Sequence, residues 1–183
     1  MKTERRIVLA LRNMMGKTPL EEITVTKITN KCHINRQSFY YHFHDIYDVL
    51  TLLFLDEKVE GIESAKNAKE MVAVIYKYYE NNAEFLDATI RSAGKDLFEE
   101  FVFNTCYQCF TRYVDFNDQK NKIDKNHRKN IVRYYASAFS SLIVNYLETT
   151  KTKSLQGLLS CFDFLAEGEV GRSVQVLIQK EGL

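Results

Sequence analysis

Apolar residues recur at helical spacing along most of this chain. Ile7, Ala10, Leu11 and Met14 fall at i, i+3, i+4 and i+7, which predicts a first helix over about Thr3–Met15 with one buried stripe. Gly16 fits a left-handed residue just past a helix end, and Pro19 keeps the helix from restarting nearby. Thr24 fits an N-cap, with Val25 and Ile28 on the inner face of a short helix ending near Lys31. Cys32-His33-Ile34 makes a tight connection, and Asn35 caps a second short helix to about Phe43. Asp45 can cap a longer helix that turns Ile46, Val49, Leu50, Leu53 and Phe54 to one face.

Beyond residue 64 the segments lengthen. Met71, Val74, Ile75 and Tyr78 mark one helix, and Phe98, Phe101, Val102, Thr105, Cys106, Cys109, Phe110 and Tyr113 another. Residues 117–130 are rich in Asn, Asp and Lys and read as a loop. Ile131, Tyr134, Tyr135, Ala138, Phe139, Leu142, Ile143 and Tyr146 form the strongest stripe. Leu155, Leu158, Leu159, Phe162 and Leu165 open a last helix, continued by Val170, Val174, Leu177 and Ile178, with Gly168 and Gly171 placed to kink or break it. Period-2 runs and Asn-Gly or Asp-Gly turns are missing, so the expectation is an all-α fold.

Composition narrows the function. Hydrophobic residues make up 45%, enough for a core. The net charge of +1 is neutral on nucleic acid, although residues 1–50 carry the positive excess. No cleavable signal or bilayer-length apolar run is seen, so a cytoplasmic protein is expected, with Cys32, Cys106, Cys109 and Cys161 as reduced thiols. Cys106 and Cys109 lie on an apolar stripe, no second pair completes a metal site, and His33, His42, His44 and His127 lack ligand spacing. No metal and no cofactor is expected. Phosphate loop, nucleophile elbow and HExxH motif are absent, and Glu99-Glu100 reads as solvated surface, which speaks against an enzyme.

Two short helices joined by a tight turn behind a supporting helix make the helix-turn-helix plan, whose second helix reads the major groove. At about 100° per residue, Phe39 and Phe43 share a buried face and Gln37 and Tyr41 point most directly away. Ser38, Tyr40 and His42 flank them, and Arg36 sits in the first turn. Arg pairs with guanine and Gln with adenine, while hydroxyls and His bind phosphates or bases.

The strings Glu22-Ile23-Thr24-Val25-Thr26-Lys27-Ile28, Ile34-Asn35-Arg36-Gln37-Ser38-Phe39-Tyr40-Tyr41-His42-Phe43 and Asp48-Val49-Leu50 strongly resemble the DNA-binding domain of the TetR family of regulators. The resemblance covers about residues 4–55. The stripe 131–147 followed by Ser154-Leu155 also looks like the C-terminal domain of a subgroup that includes dihydroxyacetone-kinase regulators. It implies an N-terminal three-helix DNA-binding domain over residues 1–50 and a helical effector-sensing and dimerisation domain over 51–183. It makes Thr24 and Thr26 phosphate-side contacts, with Lys27 adding charge, and puts Arg36, Gln37, Ser38, Tyr40, Tyr41 and His42 at the DNA surface. It also implies an effector cavity, along which Phe110, Tyr135 and Phe139 fall. Three positions depart from the family pattern: His33 replaces the usual turn glycine, Ile46 a phosphate-binding lysine, and Lys27 a frequent acid.

The wide apolar faces of the last two long helices point to a homodimer paired as a four-helix bundle with helices about 20° apart. Two recognition helices about 34–36 Å apart would read a near-palindromic operator. The expected function is a sequence-specific bacterial transcriptional regulator, a repressor responding to a small molecule or protein partner. The alternatives are a TetR-fold interaction module that has lost DNA binding and, more remotely, an enzyme.

Overall fold

The computed structural model describes residues 2–120, 122–164 and 168–180. Among them are ten α-helices and no strand: α1 Thr3–Met15, α2 Val25–Cys32, α3 Arg36–His42, α4 Ile46–Asp56, α5 Ala68–Asn81, α6 Ala83–Ile90, α7 Lys95–Asn117, α8 Lys125–Thr149, α9 Leu155–Ser160 and α10 Glu169–Lys180. The chain divides into two compact units, each made of two separate stretches. Unit 1 is Met1–Lys58 with Tyr79–Phe101, and unit 2 is Val59–Tyr78 with Val102–Leu183.

In unit 1, α1 packs on α2, α4 and α6. Ile7, Ala10 and Leu11 are buried as the pattern predicts, but Met15 rather than Met14 completes the stripe. Gly16 is also not left-handed. Its φ is −66°, and Lys17 and Thr18 both donate their N–H to the Met14 carbonyl at 2.9 Å, so the helix ends without reversing its backbone hand. A Cβ on Gly16 would stand 3.3 Å from the Glu84 carboxylate, which gives the small residue a packing reason instead. α6 has no counterpart in the sequence reading. It places Phe85 against Phe54, with ring centroids 5.9 Å apart, and Phe54 also meets Phe98 and Phe101. Arg12 lies 5.2 Å above the Phe85 ring and donates to Glu57 and Asn82.

In unit 2, Phe110 is fully buried among Tyr113, Tyr135 and Phe139. The 117–130 loop is shorter than its composition suggests. Asp124 accepts from the amides of Asn126 and His127, and this N-cap starts α8 at Lys125, so its polar first turn is helix surface. The buried stripe of α8 is also rotated from the expected one. It runs through Ile131, Val132, Tyr135, Ala136, Phe139, Ser140, Ile143, Val144, Tyr146 and Leu147, and leaves Tyr134 69% exposed.

The last apolar segment is broken, not continuous. α9 ends at Ser160 and α10 begins after Gly168, whose φ of 76° only glycine adopts freely. Leu165 of the expected stripe lies outside the described residues. Tyr146 ties α9 to α8: its hydroxyl donates to the Ser154 carbonyl and accepts from the Ser154 N–H. Among the described residues, no helix is long and apolar enough to cross a membrane.

Candidate nucleic-acid interface and sensory cavity

The α2–turn–α3 segment of unit 1 is built from local instructions. The Thr24 hydroxyl accepts from the Lys27 N–H at 3.2 Å, and the Asn35 carboxamide accepts from the Ser38 N–H at 2.7 Å. Both are N-cap bonds that satisfy first-turn amides. Between the caps, His33 takes the left-handed conformation at φ 50°, ψ 49°. It is the one non-glycine with positive φ among the described residues. That reversal lets the Ile34 N–H reach the Thr29 carbonyl at 3.0 Å and stops α2. Cys32 is buried beside this turn, with its thiol on the Arg6 carbonyl, and Arg6 in turn donates to the Cys32 carbonyl.

Phe39 has no exposed surface and its ring centroid is 5.8 Å from that of Phe43, which is also buried. These two anchors fix the rotation of α3. Arg36, Gln37, Tyr40 and Tyr41 are exposed, Tyr40 at 50% and Tyr41 at 85%, while Ser38 and His42 are half-covered. Two adjacent tyrosines on one turn stand in water, which their hydroxyls tolerate but their rings do not favour.

Arg36 is braced. Its guanidinium donates to the Thr26 hydroxyl and the Tyr40 hydroxyl, each at 3.3 Å, and lies 5.9 Å from the Tyr40 ring centroid. Thr24, Thr26 and Lys27 are exposed on α2 and its cap, and the Lys27 ammonium folds back onto the Glu22 carbonyl at 2.8 Å.

His42 is half-covered and already engaged within unit 1. Its Nδ1 is 3.2 Å from the Glu4 carboxylate of α1. Nothing local in the sequence marks Glu4 for this contact beyond its place in the first helix. His44 and Tyr47, outside the expected contact set, are exposed in the turn and helix after Phe43. His44 pairs with Asp48 at 2.9 Å. The His44 main-chain N–H, then its ring, hold the Asp48 carboxyl below its ordinary value.

Unit 2 contains a cavity of about 1050 Å³. Tyr135 and Phe139 line it, and Phe110 does not. Phe110 forms the layer behind them, 5.5 Å from Tyr135 and 5.0 Å from Phe139 between ring centroids. Tyr113, Phe116 and Phe162 complete the aromatic wall, and Phe139 stacks on Phe162 at 4.5 Å.

An exposed, capped second helix set on buried aromatics by a tight turn is a helix-turn-helix of the kind that enters the major groove. This defines the class as a DNA-binding regulator. Residues 66–166 match a TetR family model described as a transcriptional regulator C-terminal region, and the chain belongs to the TetR family of DNA-binding transcriptional regulators. The fold is similar to that of the dihydroxyacetone kinase operon activator DhaS at 20% identity, with a TM-score of 0.60 over 98% of this chain and 96% of that one. NalD of Pseudomonas aeruginosa, titled the secondary repressor of the MexAB-OprM multidrug efflux pump, is 12% identical and aligns over 98% of this chain and 95% of its own, with a TM-score of 0.46. No curated protein matches the sequence significantly. The family is one of regulators rather than enzymes.

Proposed function

We propose that this chain is a cytoplasmic, homodimeric repressor in which residues 1–50 bind a near-palindromic operator and residues 51–183 pair and sense an effector. The observation that carries the reading is the α3 ridge: Arg36, Gln37, Tyr40 and Tyr41 exposed over a Phe39 with no exposed surface. Arg36 and Gln37 read base edges from the first turn of α3. Thr24, Thr26 and Lys27 bind phosphate from α2, and Ser38, Tyr40, Tyr41 and His42 complete the contact. Thr26 and Tyr40 hold the Arg36 guanidinium in place before DNA arrives, which lowers the ordering cost of the contact.

One such helix binds weakly, so pairing is part of the function. The outer face of α8, with Tyr134, Ser137, Ala138, Ser141 and Asn145 exposed, supports self-association, and Val176 of α10 is exposed as well. Small side chains on α8 allow two copies to approach closely. The effector occupies the unit 2 cavity, which is at the upper end of the usual size for small-ligand sites. Its binding favours one of two spacings of the recognition helices in the dimer. It shifts operator affinity only as far as it prefers that spacing.

The test is a fluorescence-anisotropy titration of the chain against DNA from upstream of its own gene, at several salt concentrations. Salt-sensitive binding to a near-palindrome is expected. Arg36→Ala should relax specificity at one base position by roughly 1–3 kcal/mol. Binding that is independent of both salt and Arg36 would refute the reading.

A further inference from the structure

Cations outnumber carboxylates by three to two in the wall of the unit 2 cavity. Lys66, Lys69 and Arg112 are all in its wall. Arg112 is half-buried, and one amino group donates to the Ile62 carbonyl at 2.7 Å and the Cys109 sulfur at 3.3 Å. Neither acceptor carries a formal charge, and among the described residues no carboxylate forms an ion pair with this guanidinium. A partly desolvated cation is costly without a counter-charge.

The start of α5 adds positive potential to the same wall through its helix dipole. The nearby Glu70 carboxylate caps that helix, accepting from the Lys66 main-chain N–H at 2.8 Å and from the Asn67 side chain at 2.9 Å, and its charge stands close to Tyr113 of the wall. On the acidic side the wall holds Asp163 and Glu169, the latter paired with Arg172 at 2.7 Å. Five aromatic rings stand among aliphatic, glycine and amide residues in the rest of the wall, and one of them, Phe116, stays 73% exposed, a large apolar surface left in contact with solvent.

We propose that this cavity takes an amphipathic anion, with a carboxylate, sulfonate or phosphate at Arg112, Lys66 and Lys69 and a flat apolar body along Tyr135, Phe139 and Phe162. The assignment rests on reading unit 2 as the sensor, and it specifies what is sensed. Arg112 supplies donors in a rigid fork that suits a planar acidic group, and the two lysines add mobile charge.

The test titrates the full chain with two fluorescent probes that share a ring system, 8-anilinonaphthalene-1-sulfonate and the uncharged N-phenyl-1-naphthylamine. The sulfonate is expected to bind once per chain and about tenfold or more tighter than its neutral partner. Arg112→Met should weaken the sulfonate about tenfold and leave the neutral probe nearly unchanged, and Arg112→Lys should recover part of the loss. Lys69→Gln, at an exposed position, should act in the same direction but less strongly, which keeps the test open if melting curves show that Arg112→Met does not fold. Equal affinity for the two probes overturns the assignment, as does sulfonate binding indifferent to both substitutions.

A parallel arm measures operator affinity with each probe at saturation. Arg112-dependent sulfonate binding without a change in DNA affinity upholds the anion site and removes the sensing role. A shift in DNA affinity driven equally by the neutral probe upholds sensing and overturns the anion site.

Discussion

His33 stores backbone strain in the turn that sets the recognition helix, and replacing it with glycine should make the protein more stable. At φ 50°, ψ 49° the residue sits in the left-handed region, where a Cβ crowds the following carbonyl. For an ordinary L-residue the cost is roughly 1–2 kcal/mol. Histidine is among the side chains found there more often, so the low end applies. Glycine removes that cost but gives back roughly 0.5 kcal/mol or more in unfolded-chain entropy. The His33 ring is exposed, and no hydrogen bond from it is seen among the described residues, so little contact energy is lost. The net expectation for His33→Gly is a gain of about 0.5 kcal/mol. That corresponds to a rise in Tm of about 1–2 °C for a chain of this length. Thermal and urea melts of wild type, His33→Gly and His33→Ala measure it. Alanine keeps the Cβ and loses only the ring, so it should match wild type or fall below it. Operator affinity of the glycine variant should be unchanged, because the turn keeps its path. A glycine variant less stable than wild type, or an alanine variant that gains as much, would show that the ring and not the backbone decides this position.

Asp118 is buried and accepts from Arg128 at 2.6 Å and from the amides of Lys122 and Ile123 at 2.8 and 3.2 Å. Asp118→Ala should cost about 3 kcal/mol, the low end for a broken buried pair because Arg128 keeps Asp115, and chemical denaturation reads it. Burial pushes the Cys106 and Cys109 thiols up, so a disulfide reagent should leave both unreacted in the native chain and label both in denaturant. Asp48 is held below its ordinary carboxyl value, so its contribution is full above the unfolded carboxylate range and is lost as pH falls through the lower folded value. Replacing it by Asn should flatten that acidic limb of the stability–pH curve, and a wild-type slope in the variant would assign the acid sensitivity elsewhere.

The orientation of α3 was readable because two large aromatics at i and i+4 fix the phase of a seven-residue helix. Once Phe39 and Phe43 point inward, Gln37 and Tyr41 have to point out. The caps at Thr24 and Asn35 were readable for a similar reason, since each needs only residues within one turn. His42 was different. Its neighbour Glu4 is 38 residues away in sequence, and no local pattern announces that contact. Phe110 shows the same limit in the cavity: aromatic content locates a wall, but the packing of a second layer decides which rings face the space.

The rotated stripe of α8 carries the argument further. Tyr134, Ala138 and Leu142 are as acceptable in a core as Val132, Ala136 and Val144, so hydrophobicity alone cannot rank the two phases. The folded unit selects the phase that includes Val132, Ala136, Ser140 and Val144, which lets α8 approach Phe110 and Phe162 through Tyr135 and Phe139. What remains outside is largely polar, with Arg133, Asn145 and Glu148 exposed, but an apolar patch interrupts it. It carries an exposed tyrosine followed by Ser137, Ala138 and Ser141. A helix that is buriable on two faces gives an ambiguous pattern for the same physical reason that it can serve two contacts, one within its own chain and one with another copy. The Tyr134→Glu variant separates the two. It should leave the melting temperature of dilute protein nearly unchanged while shifting the sedimentation equilibrium toward monomer, because a carboxylate on that face is hydrated in the single chain and desolvated only when two copies meet.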